Sequence, residues 1–415
     1  MSAMIYCFPT GVFMAIASYI KNAMEGSSFI RKMFEEGIAL KKKYGEENVF
    51  DFSIGNPDLE PPEQVIKAIE AEVFSKGKLK HGYMPNAGYK ETREAIAAKV
   101  SAEQGKTIPW NNVTMSVGAA GALNTVFKAI LSPGDNIIVP APFFVEYRSY
   151  AANHGGTLVT VPTKSDFSLD TDAIAAQINE KTAAVLINSP NNPTGKVYSD
   201  DDIKKLAEVL RKSAEKTGRV PYLIADEPYR RIIYNGLKTS PVFQFYDSAV
   251  VVSSFAKDLS LPGERIGYVA INSSCPDAEE LSAAFAYTTR ILGYVNAPAF
   301  FQRVIAKCCT ADADYSSYEK RRNILTDNLR NAGIEYAEPE GAFYLFCKVP
   351  EPKHHVIPEG QNSDGPFCDH LKKYNILGVP GTGFGGPGYI RLAYCVSESS
   401  IVKSRDAFEK ACKEW

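Results

Sequence analysis

A lysine in a turn after an apolar strand is the residue of this chain best placed for covalent chemistry. The segment VVSSFAKDLSLPGERIGY (Val251–Tyr268) brings Ser254 and Lys257 to the end of a predicted strand, and Arg265 follows. A lysine can form a Schiff base with a carbonyl compound when its surroundings lower its pKa. Ser254 and Arg265 suit a phosphate group. For this segment alone, a solvated loop lysine beside a surface arginine is an open alternative.

A second turn has the small side chains that allow a phosphate to approach the backbone. SVGAAGAL (Ser116–Leu123), which contains Ala119 and Ala120, lies between an extended piece and a helix predicted over Ala122–Leu131. Free amides at a helix N-terminus bind phosphate. Tight helix packing also explains such a turn, so the phosphate interpretation depends on the serine and arginine of the lysine turn.

Two further turns follow buried strands and carry polar groups. INSPNNPTGKVY (Ile187–Tyr198) places Asn192 before a proline, and LIADEPYRR (Leu223–Arg231) ends a strand at Asp226 and continues to Tyr229. A carboxylate there can pair with a protonated ring nitrogen of a cofactor, although a helix N-cap is an equally common role for aspartate. Asparagine before proline also forms ordinary turns. Because open α/β sheets bind ligands beyond the carboxyl ends of their strands, the four turns predict one shared site.

The elements that position these turns follow from the hydrophobic pattern. Near-continuous apolar runs are typical of strands buried on both faces, and they predict six strands: Asn136–Val139, Thr157–Val161, Ala183–Asn188, Tyr222–Ala225, Ala249–Ser253 and Ile266–Ile271. Helical stretches such as Asp201–Ser213 lie between them, which indicates an α/β fold with a largely parallel sheet. Outside this region the pattern predicts further helices and strands, namely helices over Ser28–Lys43, Tyr318–Leu329 and Ser400–Lys413 and strands over Ala342–Cys347 and Tyr389–Tyr394.

The length of 415 residues exceeds what one hydrophobic core usually fills, which predicts a large and a smaller domain. We assign residues 62–304 to the large domain, and residues 14–61 and 305–415 to a smaller α+β domain. Residues 1–13 are expected to be a disordered extension or the result of an upstream start, with the native start at Met14. The site is expected between the two domains.

Composition and charge argue against several classes of protein. A net charge of −2 gives no electrostatic reason for a nucleic acid partner. The eight cysteines are scattered and indicate neither a metal site nor a disulfide framework. The apolar stretch Met4–Ile20 is short for a membrane span, and Pro9 and Gly11 interrupt it. No glycine-rich dinucleotide fingerprint follows a strand, which disfavours a nicotinamide enzyme. We therefore expect a cytoplasmic protein with reduced thiols, no metal and no membrane association.

In order and spacing, the four turns resemble those of fold-type I pyridoxal phosphate (PLP) enzymes, specifically the class I aminotransferases related to aspartate aminotransferase. The resemblance extends from about Phe29 to the C-terminus. It implies the PLP-dependent transferase fold, an α/β fold whose large domain has a mostly parallel seven-stranded sheet beside a smaller α+β domain. It also implies that PLP is the cofactor and that an amino group passes from an L-amino acid to a 2-oxo acid.

The resemblance assigns roles to matching positions. Lys257 forms the Schiff base with PLP, Asp226 pairs with the pyridine nitrogen, and Tyr229 and Asn192 hydrogen-bond the phenolic oxygen; Lys257, Tyr229 and Asp226 are the implied catalytic residues. The implied cofactor-binding set comprises Ala119, Ala120, Phe144, Asn192, Asp226, Tyr229, Ser254, Lys257, Arg265 and Tyr83. The implied substrate-binding set comprises Gly55, Asn192 and Arg391.

Two of these roles have clear structural alternatives. Arg391, in GYIRLAY (Gly388–Tyr394), is implied to anchor the substrate α-carboxylate, but it is an edge-strand charge if the family match is set aside. Tyr83 is implied to reach the cofactor phosphate of a neighbouring subunit, which makes the protein a homodimer with shared active sites. Its alternative is a surface tyrosine in a turn rich in glycine and proline.

The reaction and the substrate leave further alternatives open. A PLP lyase that catalyses β-elimination uses the same site, and some regulators carry an aminotransferase-like sensing domain, although this chain has no room for a DNA-binding segment before Ser28. Lys128, with Ser27 and Ser28, weakly favours aspartate or glutamate as the amino donor. Lys128 is equally well explained as a solvated helix lysine.

Overall fold

The computed structural model describes residues 16–18, 20, 21, 24 and 28–415. The predicted extension over residues 1–13 lies outside the described residues, and so does Ser27. The helices are α1 Ser28–Tyr44, α2 Glu63–Phe74, α3 Lys90–Gln104, α4 Gly118–Ile130, α5 Tyr147–Ala152, α6 Thr171–Gln177, α7 Asp200–Thr217, α8 Ala278–Ile291, α9 Ala299–Cys308, α10 Ser316–Asn331, α11 Asp364–Leu371, α12 Glu398–Lys403 and α13 Arg405–Glu414. The strands are β1 Phe50–Asp51, β2 Val113–Ser116, β3 Asn136–Ala141, β4 Thr157–Pro162, β5 Thr182–Asn188, β6 Tyr222–Asp226, β7 Ala249–Ser254, β8 Gly267–Ile271, β9 Tyr344–Lys348, β10 Ile376–Leu377, β11 Val379–Pro380 and β12 Tyr389–Ala393.

Seven strands form the central sheet, in the order β2-β8-β7-β6-β5-β3-β4. Only β8 runs against its neighbours, since it pairs antiparallel with both β2 and β7, and every other pairing is parallel. The prediction of a mostly parallel seven-stranded sheet is therefore confirmed. The six strands predicted from apolar runs all form, with boundaries within two residues of those expected.

Burial on both faces explains why these strands are apolar throughout. Successive residues of a strand point to opposite faces, so Val185 and Ile187 of β5 enter one hydrophobic cluster, with residues of α3 and α7. Ala184 and Leu186 enter another, with residues of α4 and α8. A helix layer thus covers each face of the sheet, and the polar turns are left at its edges.

Segments from the two ends of the described chain pair with each other. Strand β1 lies parallel to β10, and β11, β12 and β9 form a separate three-stranded antiparallel sheet. Phe52, which follows β1, shares a hydrophobic cluster with β9, β12 and α10. These contacts agree with one smaller unit built from both ends, but the domain boundaries given above stay a prediction.

Two helix predictions are wrong in detail. The helix expected over Ala122–Leu131 begins four residues earlier, because the small residues that follow Val117 fit into its first turn. The stretch Ser400–Lys413 is interrupted at Ser404 and forms the end of α12 and most of α13. The carbonyl of Ile401 accepts hydrogen bonds from the Asn328 amide and the Ser404 hydroxyl, which disturbs the regular helical pattern there. No helix among the described residues is long and apolar enough to cross a membrane.

Candidate active site

The predicted turns meet at one cavity of about 250 Å³, at the carboxyl ends of β5, β6 and β7 and the N-terminus of α4. Nine of the ten residues predicted to bind the cofactor line it, namely Ala119, Ala120, Phe144, Asn192, Asp226, Tyr229, Ser254, Lys257 and Arg265. The tenth, Tyr83, is not part of this lining. The parallel strands β5 to β7 explain the convergence, because their carboxyl ends lie at the same edge of the sheet.

Lys257 follows β7 and is largely withdrawn from solvent. Its Nζ donates a hydrogen bond to the carbonyl oxygen of Gly55 at 2.8 Å. Burial lowers the pKa of Lys257 to about 8; the positive charges of Arg391 and Arg265 add to this effect, and Cys395 opposes it. A neutral amine, which is the nucleophilic and basic form, is therefore accessible near neutral pH.

Asp226 ends β6 with one carboxylate oxygen bonded and the other free. The hydroxyl of Tyr147 donates to Oδ2 at 2.5 Å, whereas Oδ1 is buried without a hydrogen-bond partner among the described residues. Burial raises the pKa of Asp226 to about 7, the Tyr147 hydrogen bond opposes this shift, and the neighbouring Glu227 adds to it. The alternative role as a helix N-cap is wrong, because the next residues form turns and no helix begins there.

Tyr229 and Asn192 lie on the two turns beside this carboxylate. The Tyr229 hydroxyl is 3.1 Å from the hydroxyl of Tyr344. The backbone N–H of Asn192 donates to Asn188 Oδ1 at 2.7 Å, and its own Oδ1 accepts from Arg391 Nη1 at 3.2 Å. The side-chain amide nitrogen of Asn192 is therefore the group left to donate to a ligand oxygen.

Arg391 lies in β12, the middle strand of the three-stranded sheet, so the edge-strand interpretation is wrong. Its Nη2 donates to the Ser53 carbonyl at 2.8 Å, and its guanidinium lies over the rings of Tyr344 and Phe384, 4.8 and 4.7 Å from their centroids. Only 5% of the residue is exposed, and Nε is buried without a partner among the described residues. A buried arginine that has an unused donor, and that pairs with no carboxylate in the described part of the chain, is suited to an anionic ligand.

Gly55 contacts both Lys257 and Tyr344. A Cβ atom at this position would be 2.0 Å from the Tyr344 hydroxyl. Only glycine therefore leaves the backbone close enough to accept the Lys257 hydrogen bond while Tyr344 keeps its position. Arg391 contacts the same segment two residues earlier, at the Ser53 carbonyl; the substrate contact of Gly55 stays a prediction.

The N-terminus of α4 forms the phosphate side of the cavity. Gly118, its first residue, has φ of +77°, and a Cβ atom there would lie 2.8 Å from Arg265 Nη2. The glycine thus lets the guanidinium approach the free amides of the first helical turn. These amides, the guanidinium and Ser254 make a cationic and donor-rich pocket that fits a phosphate.

Phe144 lies at the cavity of its own chain, whereas Tyr83 does not. Phe144 lines the cavity, and its ring meets that of Tyr147 edge to face with centroids 5.5 Å apart. Tyr83 is 92% exposed and lies in a separate groove with Tyr294 and Asn296. One chain by itself does not bring Tyr83 to its own cavity.

Several lining or supporting residues were not predicted from the sequence. Tyr147 and Tyr150 belong to one segment with Phe144 and line the cavity, as does Asn188 at the end of β5. The three-residue spacing from Phe144 to Tyr147 was a usable signal, since a single turn, closed by a hydrogen bond from the Tyr147 N–H to the Phe144 carbonyl, brings both side chains to the cavity. The sequence around Tyr344 gave no comparable signal, because Tyr344 lies in a largely apolar strand and reads as a core residue.

The residues considered for substrate selection do not reach the cavity. Lys128 is exposed and is absent from the cavity lining. It lies five residues after Leu123, which does line the cavity, and five residues turn a helix by about 140° away from the starting face. Ser28 begins α1, and its side chain is not among those described.

The cavity fits PLP in three independent respects. The unpartnered Oδ1 of Asp226 is a buried acceptor for a protonated ring nitrogen, the α4 amides with Arg265 suit the phosphate, and Lys257 suits the aldehyde. No cluster of three or more histidine, cysteine or acidic residues in the described part of the chain is arranged to hold a metal ion.

Comparisons with known proteins agree with this chemistry. Residues 47–407 match the family model described as aminotransferase class I and II. The chain is 32% identical to a probable aspartate/prephenate aminotransferase of Aquifex aeolicus, with 88% of this chain and 92% of the relative covered. It is 33% identical to the aspartate aminotransferase of Thermotoga maritima, with 88% and 91% covered.

Solved structures show the same similarity in three dimensions. An aminotransferase from Eubacterium rectale superposes with a TM-score of 0.90 at 40% identity, covering 97% of this chain and all of the other. The aspartate aminotransferase of Thermus thermophilus with maleate superposes with a TM-score of 0.81 at 25% identity, covering 96% and 100%. This chain therefore belongs to the class I and II aminotransferases, PLP-dependent enzymes that transfer amino groups.

Proposed function

We propose that this enzyme exchanges an amino group between an L-amino acid and a 2-oxo acid, with Lys257 as the residue that binds PLP and carries the proton. The observation that carries the proposal is that one cavity contains two ionisable groups whose pKa values are shifted. Lys257, with a pKa lowered to about 8, and Asp226, with an unpartnered Oδ1, both line it. Groups whose environments shift their pKa values in this way are typical of acid–base sites.

When bound, PLP supplies an electron sink for the charge that develops at the substrate α-carbon. The chain's residues hold and move protons around it. Asp226 would accept from the ring nitrogen and keep its proton in place, while Tyr229 and Asn192 would donate to the ring oxygen. The neutral Nζ of Lys257 would take the proton from the α-carbon of the amino donor and become an ammonium. In the return direction that ammonium would deliver a proton to the α-carbon of the 2-oxo acid and become neutral again.

Arg391 is proposed to bind the α-carboxylate of both substrates. Its guanidinium is fixed by the Ser53 carbonyl, by Asn192 and by two aromatic rings, so little side-chain entropy remains to be lost when a carboxylate binds. The contact between Arg391 and Asn192 places the carboxylate anchor directly beside the cofactor-binding residues. This juxtaposition supports an α-amino acid as the substrate class.

We further propose aspartate or glutamate as the preferred donor. The support is the relatives, which include enzymes named aspartate aminotransferase, and the Thermus thermophilus structure, which was solved with the dicarboxylate maleate. Lys128 does not contribute to this argument, because it lies away from the cavity.

A homodimer with shared active sites is also part of the proposal. Its support is the exposed position of Tyr83 outside the cavity of its own chain, together with exposed Phe74, Leu79 and Tyr287. Apolar patches that are exposed on one chain mark interaction surfaces. A cytoplasmic location is proposed as well, and the support is that the seven cysteines in the described part of the chain are all free thiols.

The decisive experiment is a half-reaction with the PLP-loaded enzyme and a panel of amino acids. We expect aspartate and glutamate to give pyridoxamine phosphate and the matching 2-oxo acid. The variant Lys257→Ala should lose at least about 10⁴-fold in turnover and also the visible absorbance of the lysine-bound cofactor, since it removes both the anchor and the base. Release of ammonia and pyruvate instead would identify a lyase, and retained transamination in the variant would refute the assignment of Lys257.

A further inference from the structure

Tyr344 is a buried phenol behind the cavity that none of the roles above uses. It lies in β9, is 2% exposed and does not line the cavity. Its hydroxyl is 3.1 Å from that of Tyr229, and the two rings meet edge to face with centroids 5.7 Å apart. Among the described residues, Tyr229 is the only hydrogen-bond partner of this hydroxyl.

The direction of this hydrogen bond follows from counting protons. A phenol has one proton to donate, while its oxygen can also accept. If Tyr229 donates its proton to the ring oxygen of PLP, it has none left for Tyr344. The bond of 3.1 Å between the two hydroxyls can then form only with Tyr344 as the donor.

We propose that Tyr344 is a positioning residue that donates its hydroxyl proton to Tyr229 and thereby directs the Tyr229 proton at the ring oxygen of the cofactor. The inference rests on the proposed function, in which Tyr229 hydrogen-bonds that oxygen. Among the residues that the structure describes, Tyr344 is the only one whose side chain hydrogen-bonds the Tyr229 hydroxyl and can fix its rotation. A hydroxyl that already accepts one hydrogen bond is also a better donor, because such chains polarise each other.

Three contacts hold the Tyr344 hydroxyl in this place. The backbone of Gly55 lies so close that a Cβ atom there would be 2.0 Å from the hydroxyl. The Arg391 guanidinium lies over the Tyr344 ring at 4.8 Å, and Phe343 packs against it with ring centroids 5.0 Å apart. The same side chain thus lies against both the carboxylate anchor and the donor to the ring oxygen, so one residue aligns the two ends of the site.

The test is Tyr344→Phe, which removes the hydroxyl and keeps the ring. The readouts are the pKa obtained from the visible absorption of the PLP-loaded enzyme, the dissociation constant of PLP, and kcat and KM measured separately. Weaker stabilisation of the ring oxygen as an anion should raise the absorption pKa by about 0.5 to 1, as expected for one neutral hydrogen bond. We expect kcat to fall by about 3- to 10-fold with little change in KM.

Tyr394→Phe is the matched control, because Tyr394 is fully buried in the same cluster and its hydroxyl bonds to Tyr234 and Ala342 rather than to the site. It should leave the absorption pKa unchanged, even if it lowers the melting temperature by as much as Tyr344→Phe does. Gly55→Ala gives a second route, since it displaces the Tyr344 hydroxyl without removing it, and it should also raise the absorption pKa.

Tyr229→Phe separates failure of this inference from failure of the proposed function. If Tyr229→Phe raises the absorption pKa and Tyr344→Phe adds nothing in that background, Tyr344 acts through Tyr229 as proposed. If Tyr229→Phe has its effect but Tyr344→Phe does not shift the absorption pKa, the positioning role is overturned, whatever Gly55→Ala does, because the Gly55 carbonyl also contacts Lys257. If Tyr229→Phe itself leaves the absorption pKa unchanged, the role of Tyr229 in the proposed function fails first.

Discussion

At the scale of single residues, the buried amine of Lys257 destabilises the folded state when it is protonated. Burial lowers its pKa to about 8, whereas a lysine in an unfolded chain has a pKa of about 10.4. The unfolded state therefore binds the proton more strongly between these two pH values. Stability consequently rises with pH across that window, and the full penalty for the buried charge is present below pH 8.

This penalty predicts that the variant Lys257→Met stabilises the apoenzyme. At pH 7 we expect its free energy of unfolding to exceed that of the wild type by up to about 3 kcal/mol, the energy equivalent of the pKa difference. The gain should shrink as the pH rises from 8 toward 10.4, where the wild-type lysine is neutral in both states. Urea unfolding at several pH values measures this.

Lys128→Met is the control for that experiment, because Lys128 is exposed on α4. This variant also removes a lysine charge, but that charge is exposed to solvent, so no burial penalty is relieved. A gain that is independent of pH, or equal in both variants, would contradict the explanation.

The Tyr147 hydroxyl predicts a second effect at the residue scale, on the pH dependence of PLP binding. Its hydrogen bond to Asp226 opposes the rise in the pKa of that carboxyl, which is already about 7. In Tyr147→Phe the pKa of Asp226 should rise further, so less carboxylate is ionised at pH 7 to pair with the ring nitrogen. We expect the dissociation constant of PLP to increase by about 10-fold at pH 7 and to recover at higher pH.

Binding titrations of the apoenzyme at pH 6, 7 and 8 measure this shift. Tyr246→Phe is a suitable control, since its hydroxyl bonds to the Pro221 carbonyl in the core away from the cavity. A loss of affinity that is the same at every pH would mean that Tyr147 contributes only packing.

At the scale of elements, the first turn of α4 determines whether a phosphate can bind. Gly118→Ala should increase the dissociation constant of PLP by about 10- to 100-fold, because the added methyl group displaces the Arg265 guanidinium, 2.8 Å away, and a charged hydrogen bond is worth about 1.5 to 3 kcal/mol. Fluorescence titration with PLP gives the constant. Inorganic phosphate should also protect the variant less against thermal unfolding than it protects the wild type.

Gly134→Ala is matched to this variant in backbone strain but not in crowding. Both glycines have positive φ, +77° and +89°, but a Cβ atom at Gly134 would meet nothing within 4 Å. Gly134→Ala should therefore lose about 1 kcal/mol of stability and keep its PLP affinity. Equal losses of affinity in both variants would show that strain, rather than the position of Arg265, is responsible.

The elements also show what the sequence can and cannot reveal. The strands of the central sheet could be predicted because burial on both faces leaves an uninterrupted apolar run, as in β5 and β7, where every residue is buried. The strand order could not, since no local pattern encodes that β8 runs antiparallel between β2 and β7. The start of α4 was also missed, because alanine and glycine fit a turn and a helix start equally well.

The residues of the site also divide into those that the sequence predicts and those that it does not. Asp226, Asn192 and Lys257 were predictable because each lies at the carboxyl end of a buried strand or in the polar turn that follows it. Tyr344 was not, because its contact with Tyr229 joins positions 115 residues apart. Only the packing of β9 against the segment that follows β6 brings them together. Local chemistry thus identified the residues of the turns, and long-range packing decided what supports them.

At the scale of the whole molecule, the exposed position of Tyr83 predicts that each active site needs two chains. Tyr83 is 92% exposed and absent from its own cavity, so a role in cofactor binding requires a second copy. Sedimentation should give a dimer. Tyr83→Phe should raise the dissociation constant of PLP by about 10-fold, the value of one hydrogen bond to a charged group.

Mixing two inactive or weakened variants tests the shared site directly. A Tyr83→Ala chain keeps Lys257, and a Lys257→Ala chain keeps Tyr83. In a mixed dimer, the site that contains Lys257 receives Tyr83 from the other chain and should bind PLP as tightly as a wild-type site. Co-refolding the two variants should therefore restore activity at limiting PLP to up to about one half per mixed dimer, because one site in two is intact. If Tyr83 acted within its own chain, every site in the mixture would lack one of the two residues and no recovery would occur.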